Sequence, residues 1–107
     1  MKPILFLSDS LEAIRDFPSD VRREVGHQLD RVQRGLMPDD WKPLTTLGAG
    51  VGEIRLRNAT GAFRVIYVAE SDKAVCVLHA FQKKTQRTTR ADFDLARKRL
   101  RDYRRPA

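Results

Sequence analysis

The stretch Glu53-Ile54-Arg55-Leu56-Arg57-Asn58-Ala59-Thr60-Gly61-Ala62-Phe63-Arg64-Val65-Ile66-Tyr67-Val68-Ala69 decides the fold. From 53 to 57 the residues alternate strictly, Ile54 and Leu56 on one side, Glu53, Arg55 and Arg57 on the other. That period of two is the mark of a half-buried strand. Asn58-Ala59-Thr60-Gly61 is a turn signal, because Asn and Gly accept the backbone angles that a tight reversal needs. Residues 62–69 read as a second strand, Ser71-Asp72-Lys73 as a second turn, and Ala74 to about Gln82 as a third strand. The spacing predicts an antiparallel meander.

Helices flank this centre. Ile4 to Leu7 reads as a short strand, after which Ser8, Asp9 and Ser10 offer N-caps to a helix running to about Phe17. Its inner stripe is Leu11, Ile14 and Phe17. Pro18 interrupts, and Ser19 caps a second helix whose Val21, Val25, Leu29 and Val32 form one apolar stripe. Gly35 ends it as a left-handed cap. His27 sits off the stripe as a surface residue. Residues 38–43 read as a loop with Trp41 plugged against the core. Thr89 and Asp92 form a capping box for a last helix, with Phe93, Ala96, Leu100 and Tyr103 on one face. Arg97, Lys98, Arg99, Arg101, Arg104 and Arg105 cover the rest. The order is β-α-α-β-β-β-α, an α+β fold in which an antiparallel sheet carries an N-terminal helical hairpin and a C-terminal basic helix. The whole of 1–107 is expected to be a single domain.

Composition narrows the function. Of 107 residues, 41% are hydrophobic, enough for one core, while the net charge is +7. Residues 1–40 carry 6 basic and 8 acidic residues, residues 41–107 carry 15 and 6. The basic excess therefore belongs to the back of the chain, as expected of a single surface that meets a polyanion. Arg supplies 15 of the 21 basic residues, and its planar fork of donors suits phosphate. Cys76 is the one cysteine, so no intramolecular disulfide or thiolate cluster is available, and its setting in Ala74-Val75-Cys76-Val77-Leu78 is that of a small buried hydrophobe. No apolar run approaches a membrane span. The short apolar start meets Asp9 and Glu12 at once and does not read as a signal peptide, so a cytoplasmic location is expected. Gly48-Ala49-Gly50-Val51-Gly52 lacks the strand before it and the Lys-Ser/Thr ending of a phosphate loop, and reads as a turn into the next strand. No His/Asp/Glu group has ligand spacing, so neither metal nor cofactor is expected.

Closing the hairpins gathers the charge. With residues 58–61 as the loop, Arg57 faces Ala62, Leu56 faces Phe63 and Arg55 faces Arg64. With residues 71–73 as the next loop, Arg64 faces Ala80 and Tyr67 faces Val77. Ala80, Gln82 and Lys84 then share the Arg64 face, and His79 falls on the other, beside Phe63, Val65, Ile54 and Leu56. His79 there is a hydrogen-bonded core histidine in preference to a general base. Arg55, Arg64 and Lys84 converge, with Glu53 as a partial counter-charge. Like charges directly opposite are destabilising, whereas an opposite pair contributes ~0.2–1 kcal/mol. Stability alone does not favour this register; a bound phosphate would. The alternative is a solvated basic face with no ligand. The exit Phe81-Gln82-Lys83-Lys84-Thr85-Gln86-Arg87 is the densest basic segment outside the last helix.

These motifs resemble a known family. Leu47-Gly48 leading to Gly52-Glu53-Ile54-Arg55-Leu56-Arg57, then Phe63-Arg64-Val65-Ile66-Tyr67, then Leu78-His79-Ala80-Phe81-Gln82-Lys83-Lys84-Thr85-Gln86, are similar to the HigB-like, phage-derived branch of the RelE/ParE toxin superfamily. The likeness covers nearly the whole chain. It implies a RelE-like fold and a type II toxin: a ribosome-dependent endoribonuclease (mRNA interferase) that cleaves mRNA and so inhibits translation. It implies as partners a helix-turn-helix antitoxin, the ribosome with its rRNA, and mRNA. By position Arg64 would hold the scissile phosphate, with Arg55 beside it and Lys84, or its neighbour Lys83, as the basic group after the last strand. Glu53 would be a base or a counter-ion. Arg57, Lys83, Arg87, Arg90, Arg97, Arg101 and Tyr103 would bind RNA, Tyr103 against a base.

Residue chemistry sets the mechanism that such an activity would need. Attack of a ribose 2′-hydroxyl on the adjacent phosphate leaves a 2′,3′-cyclic phosphate and a 5′-hydroxyl. It requires a base, stabilisation of a phosphorane-like transition state and an acid. Arg and Lys supply the middle function, and Lys84 with a pKa lowered by its cationic neighbours would be the donor. Three other readings compete: a ParE-like gyrase inhibitor, a non-catalytic RNA- or DNA-binding module, and an inactive relative that only binds its antitoxin.

Overall fold

The computed structural model describes residues 1–70, 72–84 and 87–105. Ser71 of the second turn and Thr85-Gln86 of the basic exit lie outside the described residues. The elements are β1 (Ile4–Phe6), α1 (Ser10–Arg15), α2 (Ser19–Gln33), β2 (Trp41–Pro43), β3 (Val51–Asn58), β4 (Gly61–Val68), β5 (Val75–Lys83) and α3 (Arg90–Arg104). The strands form one sheet in the order β1-β5-β4-β3-β2. The fold is α+β, in keeping with a RelE-like architecture.

Two differences from the sequence reading concern the sheet. It is mixed and not purely antiparallel, because β1 runs parallel to β5, Ile4 opposite Val75. Residues 41–43, read as loop, form the edge strand β2, with Trp41 opposite Ile54 and Pro43 opposite Gly52. Three residues are too few to show a period of two, and Pro43 fits only because β2 lies at an edge.

Helices cover both faces. On one side Ile14, Phe17, Val21, Val25, Leu29 and Val32 of the helical hairpin pack on Ile54, Leu56, Phe63, Val65, Tyr67 and Val77. The four-four-three spacing of the α2 valines and Leu29 is what points them all at the sheet. On the other side Ala96 and Leu100 of α3 pack on Ile66, Val68, Cys76 and Leu78. Cys76 is fully buried and its thiol is pushed up to about 11 by loss of water, so it stays protonated. Gly35, at φ 82°, ends α2 in the left-handed conformation. Thr89 caps α3, its hydroxyl accepting from the Asp92 amide at 3.2 Å. Gly52 is required for packing: a Cβ there would lie 2.7 Å from the Tyr67 hydroxyl, because the tyrosine ring covers its cross-strand partner.

A bulge in β5 sets the geometry of one face. Tyr67 pairs with Val77, but Ile66 pairs with His79, so Leu78 is an extra residue in the ladder. Leu78 and His79 therefore point to the same side, and every residue after them changes face relative to an unbroken strand. Arg99 of α3, itself buried, donates to the Leu78 carbonyl at 2.9 Å and to Asp9 at 2.8 Å. The carbonyl that the bulge removes from regular pairing is thus satisfied by a side chain.

Candidate functional site

The β3–β4 hairpin closes in the expected register, with Arg57 opposite Ala62 and Arg55 directly opposite Arg64. Beyond the bulge, Arg64 faces Phe81 and Ala62 faces Lys83. Lys83 therefore shares the Arg64 face. The expected Arg64–Ala80 pairing does not form, and Lys84, one residue on, is exposed outside the cleft. His79 is corrected in the same way. It lies on the α3 side, where Nε2 is 2.8 Å from Asp92 and the ring stacks on Phe81 at 4.9 Å. It is hydrogen-bonded, as expected, but on the face opposite to the expected one.

Arg55, Arg57, Arg64 and Lys83 line a cleft of about 560 Å³ whose rim is the 58–62 turn. The turn is held by Asn58, whose side chain accepts from the Thr60 amide at 2.9 Å and donates to Asp20 of α2. Arg64 is the cleft's buried wall, 6% exposed. One guanidinium nitrogen donates to the Phe63 carbonyl at 2.9 Å, and Nε stands 3.6 Å from Glu53. That Nε is buried without a hydrogen bond. Burial lowers the Arg64 pKa, Glu53 opposes the shift, and Arg55 and Arg57 add to it. Lys83 is likewise lowered, first by burial, then by Arg64, with Arg55 and Arg57 contributing and Glu53 opposing.

Glu53 is only 3% exposed and is occupied: one oxygen accepts from the Thr88 hydroxyl at 2.6 Å and the other faces Arg64. The Thr88 bond and the His79–Asp92 contact tie the start of α3 to the sheet beside the cleft. Thr88 carried no signal in the sequence, since its partner is 35 residues away.

The remaining RNA-binding candidates named from sequence lie elsewhere. Arg87, Arg90, Arg97, Arg101 and Tyr103 do not line the cleft. Arg97 pairs with Asp94 at 3.0 Å and Arg90 with the same carboxylate at 3.8 Å. Arg101 and Tyr103 are exposed near the end of α3. Arg99 is structural and Arg104 is held by Glu70 at 2.6 Å, so the last helix presents fewer solvated arginines than its sequence implies.

Among the described residues, one group of potential metal ligands lies together in space although none was read from the spacing. Glu24, His27 and Asp39 bring ligand atoms within 4.8 Å of one another, all three exposed. Gln28 donates to both carboxylates, at 2.6 Å and 2.8 Å.

Chemically, the exposed guanidinium groups of Arg55 and Arg57 beside buried Arg64 and partly buried Lys83 have the donors and the charge that suit a multiply charged oxyanion. The architecture is that of a small RelE-like α+β protein with a cationic cleft at the sheet face. A model of the phage-derived Gp49-like family (DUF891) matches residues 12–101, and the chain belongs to that family. The family is toxin-like and related to the RelE/HigB-type toxins of toxin–antitoxin systems. No curated protein matches the chain. Among the described residues no helix is long and apolar enough to cross a membrane.

Proposed function

We propose that this protein is a HigB-like toxin that acts as a ribosome-dependent endoribonuclease, cutting mRNA and arresting translation in the cytoplasm. The observation that carries this reading is the direct opposition of Arg55 and Arg64, with Lys83 completing the cleft. Such a row of like charge weakens the empty sheet and is relieved by a phosphate.

In this reading Arg55 and Arg64 hold the scissile phosphate and stabilise the negative charge that grows on its oxygens. Lys83, lowered in pKa by burial and by Arg64, donates a proton to the leaving 5′-oxygen. Glu53 is the counter-ion that fixes Arg64 when no substrate is bound. Lys84, Arg57, Arg87, Arg90, Arg97, Arg101 and Tyr103 serve binding to mRNA and rRNA. No step needs a metal, so cleavage should survive EDTA. The natural inhibitor is a helix-turn-helix antitoxin with an acidic surface toward the cleft.

The test is induction of wild type beside Arg64→Ala and Lys83→Ala, followed by mapping of mRNA 5′ ends. Wild type should give growth arrest and new 5′ ends within coding regions, and both variants should lose them. Equal arrest by all three, without new ends, refutes the reading. Arrest of replication with translation intact would point to the gyrase-inhibitor alternative.

A further inference from the structure

Among the described residues the cleft is lined by cations and holds no free proton acceptor. Glu53 is buried and already engaged by Thr88 and Arg64. Arg stays protonated, and Lys83 is cast as the donor. A carboxylate that fits the missing role stands one strand position further across the sheet. Asp40 precedes β2, and its carbonyl accepts from the Arg55 amide at 2.9 Å. This bond continues the β2–β3 ladder one residue past the Trp41–Ile54 pair. Asp40, Arg55 and Arg64 thus form a row across three neighbouring segments of the sheet, which at strand spacing covers about 10 Å.

The surroundings of Asp40 suit the role. It is exposed. It lines a groove of about 390 Å³ that shares Arg55 and Arg57 with the cationic cleft. The charged groups facing it are Asp20 and Glu24 from α2, its neighbour Asp39, and Arg55 and Arg57 from β3. Asp39 is engaged by Gln28 and Arg31, and Asp20 by Asn58. Asp40 also acts electrostatically on Arg64, partly opposing the effect of burial.

We infer that Asp40 is the catalytic proton acceptor of the cleavage reaction, which rests on the ribonuclease reading given above. Its carboxylate takes the proton of the ribose 2′-hydroxyl. The freed oxygen forms a bond to the adjacent phosphorus, held by Arg55 and Arg64, while the bond from phosphorus to the 5′-oxygen breaks. Lys83 gives its proton to that oxygen. The products are a 2′,3′-cyclic phosphate and a 5′-hydroxyl, and solvent returns a proton to Lys83 and removes one from Asp40.

The experiment is single-turnover cleavage of an mRNA on purified, programmed ribosomes by wild type, Asp40→Asn, Asp40→Glu and Arg64→Ala, over a range of pH and protein concentration. Asp40→Asn is isosteric at an exposed position and should melt with wild type. Its maximal rate should fall about 10²–10⁴-fold, the range for loss of a general base. The concentration giving half-maximal rate should hold, and the acidic limb of the pH–rate profile should disappear. Asp40→Glu should restore part of the rate and the limb. The assignment is overturned if Asp40→Asn cleaves within about threefold of wild type, the lower part of what one hydrogen bond is worth. It is equally overturned if the loss lies in affinity while the acidic limb stays. If wild type cleaves and Arg64→Ala does not, such a result removes Asp40 alone. If wild type fails to cleave, or Arg64→Ala matches it, the ribonuclease reading falls and the role of Asp40 with it.

Discussion

Replacing Glu53 by Gln tests whether the cleft is held ready for an anion by an internal one. The side chains of Arg64 and Glu53 are 7% and 4% exposed, and their closest atoms are 3.6 Å apart. Removing one partner of a buried pair costs about 3–5 kcal/mol, because the other charge stays desolvated. Here the separation is long and Arg64 lines an open cleft, so about 2–3 kcal/mol is expected. For a domain of this size each kcal/mol moves the melting temperature by about 4–8 °C, giving a fall of roughly 10–20 °C. The Thr88 hydroxyl keeps an acceptor in the glutamine, so the start of α3 should remain docked. The assay is thermal melting with inorganic phosphate varied at constant ionic strength. Phosphate should stabilise Glu53→Gln more than wild type, since the uncompensated guanidinium binds it more tightly; at 100 times the Kd the gain is about 2.7 kcal/mol. The double variant Glu53→Gln/Arg64→Met should recover most of the loss and show little response to phosphate. Melting of Glu53→Gln within about 2 °C of wild type, under half a kcal/mol, or an equal phosphate response in both proteins, would refute the counter-ion argument.

Two further perturbations probe the frame and the charge of the cleft. Arg99→Met keeps the side-chain stem but orphans the buried Leu78 carbonyl, an expected cost of about 1–3 kcal/mol. The bond to Asp9 adds little, because that carboxylate is 67% exposed. Urea melts read the loss as a midpoint shift at unchanged slope, and a shift too small to measure would mean that the bulge does not need its cap. Lys83 tests the pH dependence of stability. Its pKa in the fold lies below the ordinary 10.5, so between the two values the unfolded chain binds more protons than the native one. Stability should therefore rise with pH through that window relative to Lys83→Met, and bound phosphate should flatten the rise. A falling difference would contradict the lowered pKa.

The legible and illegible parts of the site differ by one physical feature. The β3–β4 hairpin is closed by the short 58–61 turn, and its register follows from local residues alone, so Arg55 opposite Arg64 could be read from the sequence. The helical stripes were equally local: Val21, Val25, Leu29 and Val32 need only the pitch of a helix to face the core. The register of β5 is not local. Tyr67 opposite Val77 followed from the second turn, but the extra residue at Leu78 is held by Arg99, 21 residues further on in another element. That one insertion moves His79 to the α3 side and puts Lys83, not Lys84, beside Arg64. Asp40 was hidden for a related reason, since a three-residue edge strand has no period to betray it and its place is fixed by a bond to Arg55. The basic helix shows the converse: its composition predicts a broad cationic surface, yet Arg99 is buried against a carbonyl and Arg104, at the surface, is paired with Glu70. What reaches the cleft is therefore settled by where the backbone needs a donor, and only then by how many cations the chain carries.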